Sequence, residues 1–280
     1  MSVLTLVIIL AAAAIGGLWI ASLVTRDYSW VDRAWSILPV LYVGAFAVAA
    51  RLRDVRLDLM AILVTAWGVR LTYNFARKGG YRGVEDYRWG VLRERMSARQ
   101  FQLFNFFFIA FYQNVLLLLI SLPALDVYQH RQRALTPADA MLAALFVLCL
   151  VLETVADNQQ WRFQQEKYRQ IELGRAPTVR FCQSGLFRYS RHPNYFFEIA
   201  QWWVVYLFGA IASDSFFHLT LSGPVLLTLL FVGSTRFTEE ISLSRYPEYA
   251  TYQASTSAVV PWIRRAASDR PVITAERVND

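Results

Sequence analysis

The chain has 280 residues and a formal net charge of +7, with 56% hydrophobic and 18% charged residues. Soluble globular domains carry about 25% charged residues, so this balance and the mean hydropathy of +0.32 favour a membrane protein over an ordinary soluble globule before any motif is read. The only two cysteines, Cys149 and Cys182, stand far apart and do not form a disulfide framework.

Apolar windows run over 3–24, 34–50, 57–76, 101–122, 139–157, 196–212 and 216–234. A helix needs ~20 residues to cross the ~30 Å of a bilayer's hydrocarbon. The expected fold is therefore all-α: a polytopic membrane protein with seven transmembrane helices. The 34–50 window is the shortest, and a re-entrant or surface helix is its alternative. The first window has no cation before it and is longer than a signal peptide's apolar core, so a retained helix is expected.

The cations test this division. Of the 28 Lys and Arg residues, 22 fall in the first, third and fifth connections and the C-terminal tail. Five fall in the second and fourth, and Arg70 lies inside a window. Positive residues favour the cytoplasmic side, so the N-terminus is expected outside and the C-terminus in the cytoplasm. The same bias accounts for the net charge without a nucleic-acid partner. No repeat or flexible linker divides the chain. One helical membrane domain over 1–262 is expected, followed by a disordered cytoplasmic tail over 263–280. The polar run from Gln159 should continue the fifth helix until Gly174 and Pro177 break it.

Polar residues inside apolar windows are costly and mark function more often than not. Arg70, Asn74 and Arg77 share one helix face, as do Glu153 and Asp157, and as do Asn194, Glu198 and Gln201 or Trp202. Gln113 and Asn114 interrupt the fourth window. Interhelical fastening would explain any one of these. Together they predict a shared polar cavity in the cytoplasmic half, under two loops rich in arginine, whose planar fork suits phosphate. There is no G-x-G-x-x-G after a strand, no Walker loop and no G-x-S-x-G. The three histidines, His130, His192 and His218, lack metal-ligand spacing, so no metal is expected.

Arg191-His-Pro-Asn-Tyr195 followed by Glu198 resembles the steroid 5-alpha-reductase superfamily, in particular its bacterial branch. Further matches are Trp30-Val-Asp-Arg-Ala-Trp-Ser36, Trp67-Gly-Val-Arg-Leu71, Glu85-Asp-Tyr-Arg88, Glu153 with Asp157, Gly185-Leu-Phe-Arg-Tyr-Ser190, and Tyr249 and Tyr252 leading to Pro261-Trp262. The resemblance covers roughly residues 26–262. It implies an integral protein of the bacterial inner membrane that binds NADPH and reduces the C=C of a lipophilic enone. Carried over by position, Asn194 and Glu198 would hold the nicotinamide, with Trp202 on the same wall. Arg70, Asn74, Arg77, Asp157 and Arg180 would meet the adenosine and phosphates. Arg191, His192 and Tyr195 belong to the same cofactor motif. Steroid reductases place a tyrosine proton donor where this chain has Trp67, so the acid stays open among Asp32, Tyr73 and Tyr195, with Glu198 as a further catalytic candidate.

Arg191-His-Pro with Glu239-Glu240 downstream also resembles isoprenylcysteine carboxyl methyltransferases, which use S-adenosylmethionine. That resemblance covers about residues 185–262. A non-enzymatic lipid or sterol binder is the third alternative. Membrane lipids and a lipophilic small molecule are the expected partners in each case.

Overall fold

The computed structural model describes residues 1–177 and 179–263. The tail expected to be disordered lies, from residue 264 onward, outside the described residues. The fold is all-helical, and the described residues hold no strand beyond one isolated bridge between Ser190 and Ser257.

Helix α1 spans Val3–Thr25, α2 Trp30–Trp35, α3 Leu38–Ala49 and α4 Val55–Arg77. Short helices α5 (Tyr87–Arg95) and α6 (Ala98–Phe104) follow. A π-helical segment over Asn105–Tyr112 then leads into α7 (Gln113–Ser121) and α8 (Pro123–Gln129). The remaining helices are α9 (Pro137–Glu172), α10 (Pro193–Ser213), α11 (Ser222–Arg245) and α12 (Tyr249–Ser255).

Local chemistry sets the boundaries. Asp54 caps α4 by accepting from the Leu57 N–H, 2.9 Å away. Ser97 and Gln100 form a capping box at α6. Thr136 and Asp139 do the same at α9, where Pro137 occupies a first-turn position that needs no N–H. Pro193 starts α10 in the same way. At 36 residues, α9 is about 54 Å long, well beyond a bilayer's hydrocarbon. It ends at Leu173 with Gly174 in the left-handed region, φ +70°, and this is where the sequence placed the break.

Six helical stretches are long and apolar enough to cross a membrane: Val3–Thr25, Trp30–Ala49, Ala98–Gln129, Pro137–Glu172, Pro193–Ser213 and Leu219–Arg245. The protein is thus an integral membrane protein by the character of its helices. The six do not include α4, whose 23 residues hold Arg56, Asp58, Arg70 and Arg77. Burial separates centre from rim. Only 11% of the apolar window of α1 is buried, against 67% for α10, which packs chiefly on α9 and α8.

Helix direction alternates, as end-to-end pairs show. Near one end of the bundle, Arg56 at the start of α4 forks onto Asp139 at the start of α9, at 2.6 and 2.8 Å. Thr220, just before α11, donates to Asp126 of α8 at 2.6 Å. Near the other end, Asn74 of α4, Asp157 of α9 and Asn194 of α10 meet. This second end also carries α5, α12 and the basic loops.

Lipid tails are as apolar as leucine, so association of such helices rests on close packing and hydrogen bonds. Two helix glycines carry close approaches between separate helices. A Cβ on Gly68 of α4 would sit 2.5 Å from Val40 and 2.6 Å from the Ser36 carbonyl oxygen. One on Gly223 would sit 2.5 Å from the Leu119 carbonyl oxygen. Around these contacts lies one large core containing Tyr42, Phe46, Trp67, Phe146, Trp202 and Phe208.

Gly68→Ala is expected to lower the melting temperature in detergent, because overpacking costs about 1–3 kcal/mol. Gly44→Ala, where nothing lies within 4 Å of the added carbon, should be neutral or slightly stabilising. Equal melting temperatures for the two variants would contradict the packing described.

Candidate functional site

A cavity of about 280 Å³ opens among α2, α4, the π-helical segment, α9, α10 and α11, with α5 along one side. Its floor is a charge cluster built by helical periodicity on three rods. On α4, Trp67, Arg70 and Asn74 are three and four apart. On α9, Glu153 and Asp157 are four apart. On α10, Asn194 and Glu198 are four apart, with Gln201 and Trp202 one turn on.

Arg70 is the hub. Its Nη2 lies 2.6 Å from Glu153 and 3.5 Å from Glu198, and its Nη1 lies 2.6 Å from Asp157. Three carboxyl groups thus face one guanidinium, so hydrogen-bond donors have to complete their solvation. Glu198 accepts from the Trp67 indole at 2.8 Å and from the Trp202 indole at 3.1 Å. Gln201 donates to Glu153 at 2.6 Å. Asn74 donates to Asp157 at 2.8 Å, and Asn194 reaches the same carboxylate at 3.5 Å. Arg77 stands one turn out. It is bonded to Asn74 and Asn158 and stacked over Tyr73 and Trp161.

The opposite wall comes from α2 and α5. Asp32 accepts from the Trp89 indole at 2.9 Å. Arg88 forks onto Asp86 at 3.0 and 2.8 Å. Burial works against the Arg88 charge, but the paired carboxylate more than offsets this and raises its pKa. Lys78 also lines the cavity and makes no ion pair among the described residues. The remaining wall is apolar, with Leu71, Phe75, Phe108, Leu230 and Phe231.

Of the residues singled out from the sequence, Asp32, Asn74, Gln113, Glu153, Asp157, Asn194, Tyr195 and Glu198 line this cavity. Arg70 lies beneath it, with its fork turned to the carboxylates. Trp202 is 2% exposed and supports Glu198 from behind. Tyr73 is not on the cavity. It precedes Asn74 by one residue, about 100° around the helix, and is 65% exposed. Arg180 is also off the cavity, because the segment after α9 carries it outward to Glu248 at 3.6 Å.

Arg191 and His192 belong to a separate clasp. Arg191 forks onto Glu239 at 2.6 and 2.9 Å, and its Nη1 donates to the carbonyls of Gln253 and Thr256. His192 lies 3.1 Å from Glu239, and Gln253 donates to Glu239 at 2.7 Å. Backbone bonds from Arg191 and His192 to Ser257 and Ala258 close the loop onto the segment after α12. Every nitrogen of Arg191 is therefore engaged inside the protein.

Sequence reasoning missed Lys78, Asp86, Arg88 and Trp89. Residues 85–88 were visible only as a family motif with no role attached, and Lys78 only as one more loop cation. The indole of Trp67 was read for what it cannot do, donate a proton in catalysis, whereas it solvates Glu198.

A family model described as a protein of unknown function, DUF1295, matches residues 18–256. The chain belongs to the DUF1295 family. It is similar to an uncharacterised protein of Schizosaccharomyces pombe, 39% identical over 263 residues, which cover 87% of this chain and 75% of that one. No solved structure matches the chain significantly. The family match includes the whole cavity floor, the α5 wall and the clasp up to Thr256.

Arg70→Met should be severely destabilising, by about 3–5 kcal/mol, because it strands three buried carboxyl groups. Glu153→Gln should cost far less, since it removes one of three like charges and keeps a hydrogen-bonding side chain. Thermal unfolding in detergent compares them. An Arg70→Met protein as stable as wild type would show that the cluster is not held by charge.

Proposed function

We propose that this protein is a membrane-embedded, NADPH-dependent reductase acting on the enone C=C of a steroid-like or other lipophilic substrate. In this reading α4 completes seven spans, the N-terminus lies outside and the basic end faces the cytoplasm of a bacterial inner membrane. The positive-inside distribution and the alternating helix directions support that orientation.

The observation that carries the reading is the convergence, on one cavity, of Asn194 and Glu198 from the Arg-His-Pro-Asn-Tyr motif with Asp32 on the facing wall. The residues fit the cofactor in two respects. Asn194 and Tyr195 offer hydrogen-bonding groups that match a carboxamide, and Lys78 is a cavity-lining cation with no ion pair among the described residues, suited to an anionic group at the mouth. NADPH supplies a hydride when bound. The cavity volume suits one end of a dinucleotide and a neighbouring substrate group, which leaves the phosphates to the cytosolic mouth. Arg70 is committed to its carboxylates and orients them.

The chain's own groups would then do three things. Asn194 and the indole-braced Glu198 fix the ring's orientation. Asp32, held by Trp89, is placed to hold a proton on the substrate's oxygen side. Phe75, Phe108 and Phe231 exclude water, which strengthens every charge interaction within. The methyltransferase alternative leans on Arg191, His192 and Glu239. Their mutual engagement supports a fastening role and leaves little for a bound sulfonium cofactor.

In a nucleotide screen of the purified full-length protein, NADPH should raise the melting temperature by several degrees and S-adenosylmethionine should not. Asn194→Ala and Lys78→Ala should each weaken NADPH roughly tenfold with little change in the unliganded melting temperature. A shift with S-adenosylmethionine alone would support the methyltransferase reading instead. No shift with either would leave the lipid binder.

A further inference from the structure

Gln113 is 4% exposed, lines the cavity, and its side-chain amide makes no hydrogen bond among the described residues. Its neighbours are bonded through their amide nitrogens, although Asn114 Oδ1 has no partner among the described residues. Asn114 donates to the Ala110 carbonyl at 2.6 Å, and Asn105 exchanges bonds with Ser22. An amide buried in a membrane bundle without a partner is costly. Other buried polar atoms also lack a partner, among them Asn114 Oδ1 and Gln201 Oε1, but Gln113 is an amide on the cavity whose oxygen and nitrogen both go without an internal bond among the described residues.

The backbone is shaped to put it there. The segment Asn105–Tyr112 is π-helical, and the Gln113 N–H bonds back to the Phe108 carbonyl, five residues earlier. In an α-helix, residues five apart lie about 140° around the axis. The wider turn brings Phe108 and Gln113 onto the same cavity. Such turns are rare and occur frequently at functional sites. Helix α7 also packs against α2, which carries Asp32.

The charge around the chamber limits what can meet this amide. Five carboxyl side chains line the cavity; Arg70 beneath it answers three of them, Arg88 is paired to Asp86 and Lys78 is the remaining cation, so acids still outnumber bases five to three. A fatty carboxylate or a phosphorylated lipid head would be repelled from the interior, whereas a neutral oxygen would not. Phe108, Leu230 and Phe231 offer an apolar bed beside the amide.

We propose that Gln113 is a substrate-orienting residue: its amide donates to a neutral carbonyl or hydroxyl oxygen of a lipophilic molecule whose apolar body lies against the Phe108–Phe231 wall. The substrate class is thus an uncharged, oxygen-bearing lipophile, not an anionic lipid. This rests on the reductase reading for the reaction but not for the binding.

Three probes of equal chain length separate the possibilities: trans-3-tetradecen-2-one, trans-2-tetradecenoate and 2-tetradecene, each bound to the full-length protein in nanodiscs, with empty nanodiscs subtracted. Wild type should bind the enone roughly tenfold more tightly than the hydrocarbon, and should bind the carboxylate more weakly than the enone. Gln113→Leu and Gln113→Met should bring enone and hydrocarbon to within about twofold of each other, with NADPH affinity unchanged. Retention of the enone preference in a folded variant would overturn the proposal. So would a wild-type protein that prefers the carboxylate or makes no distinction, which needs no variant to fold. If the enone preference holds and follows Gln113 while NADPH does not bind, the reductase reading fails and the assignment of Gln113 stands.

Discussion

The architecture turns on one arginine. Arg70 lies within α4 and is met by carboxylates from α9 and α10, at 2.6 Å for Glu153 and Asp157 and 3.5 Å for Glu198. Burying ions is expensive, and a guanidinium among acids repays the cost only when geometry and additional donors are good. Two tryptophans, a glutamine and an asparagine supply those donors. A glutamine at 198 would turn its amide NH2, a donor, toward one of the two indole N–H groups, so a carboxylate is the side chain that accepts on both sides. The cluster fixes the relative height and rotation of three helices. The space left above it is the cavity.

A second constraint acts outside the bundle. The clasp of Arg191 and His192 on Glu239 ties the start of α10 to α11 and to the segment after α12. It sets the first turn of α10, and that turn places Asn194 and Tyr195 on the cavity. The Arg-His-Pro-Asn-Tyr motif therefore divides its labour. Its first two residues bind the protein to itself, and its last two face the open space.

The helical rods and the cavity floor were legible because they follow from period. Arg70 with Asn74, Glu153 with Asp157 and Asn194 with Glu198 each sit one turn apart in or beside apolar windows, where polar groups are costly and their shared face is readable. The α5 wall was not legible, because Trp89 is brought to Asp32 by the irregular segment between α4 and α5, which has no periodic signature. The π-helical turn was hidden in a phenylalanine-rich run that reads as ordinary helix. Arg180 and Tyr73 lie off the cavity for different reasons. The first depended on an irregular segment. The second is separated from Asn74 by one residue, enough to turn it off the cavity. Helix α4 is not among the six apolar stretches; of its charged residues Arg70 builds the site, while Arg56 pairs with Asp139 at the other end.

The central claim is that the acid-floored cavity holds the reacting end of a nicotinamide cofactor. A cryo-electron microscopy map of the full-length protein in nanodiscs with NADPH tests it most directly. Density for a ring beside Asn194 and Glu198, with phosphates toward Lys78 at the mouth, is the result this account requires. Nucleotide density confined to the outer basic loops, with the cavity closed by its own side chains, would contradict it.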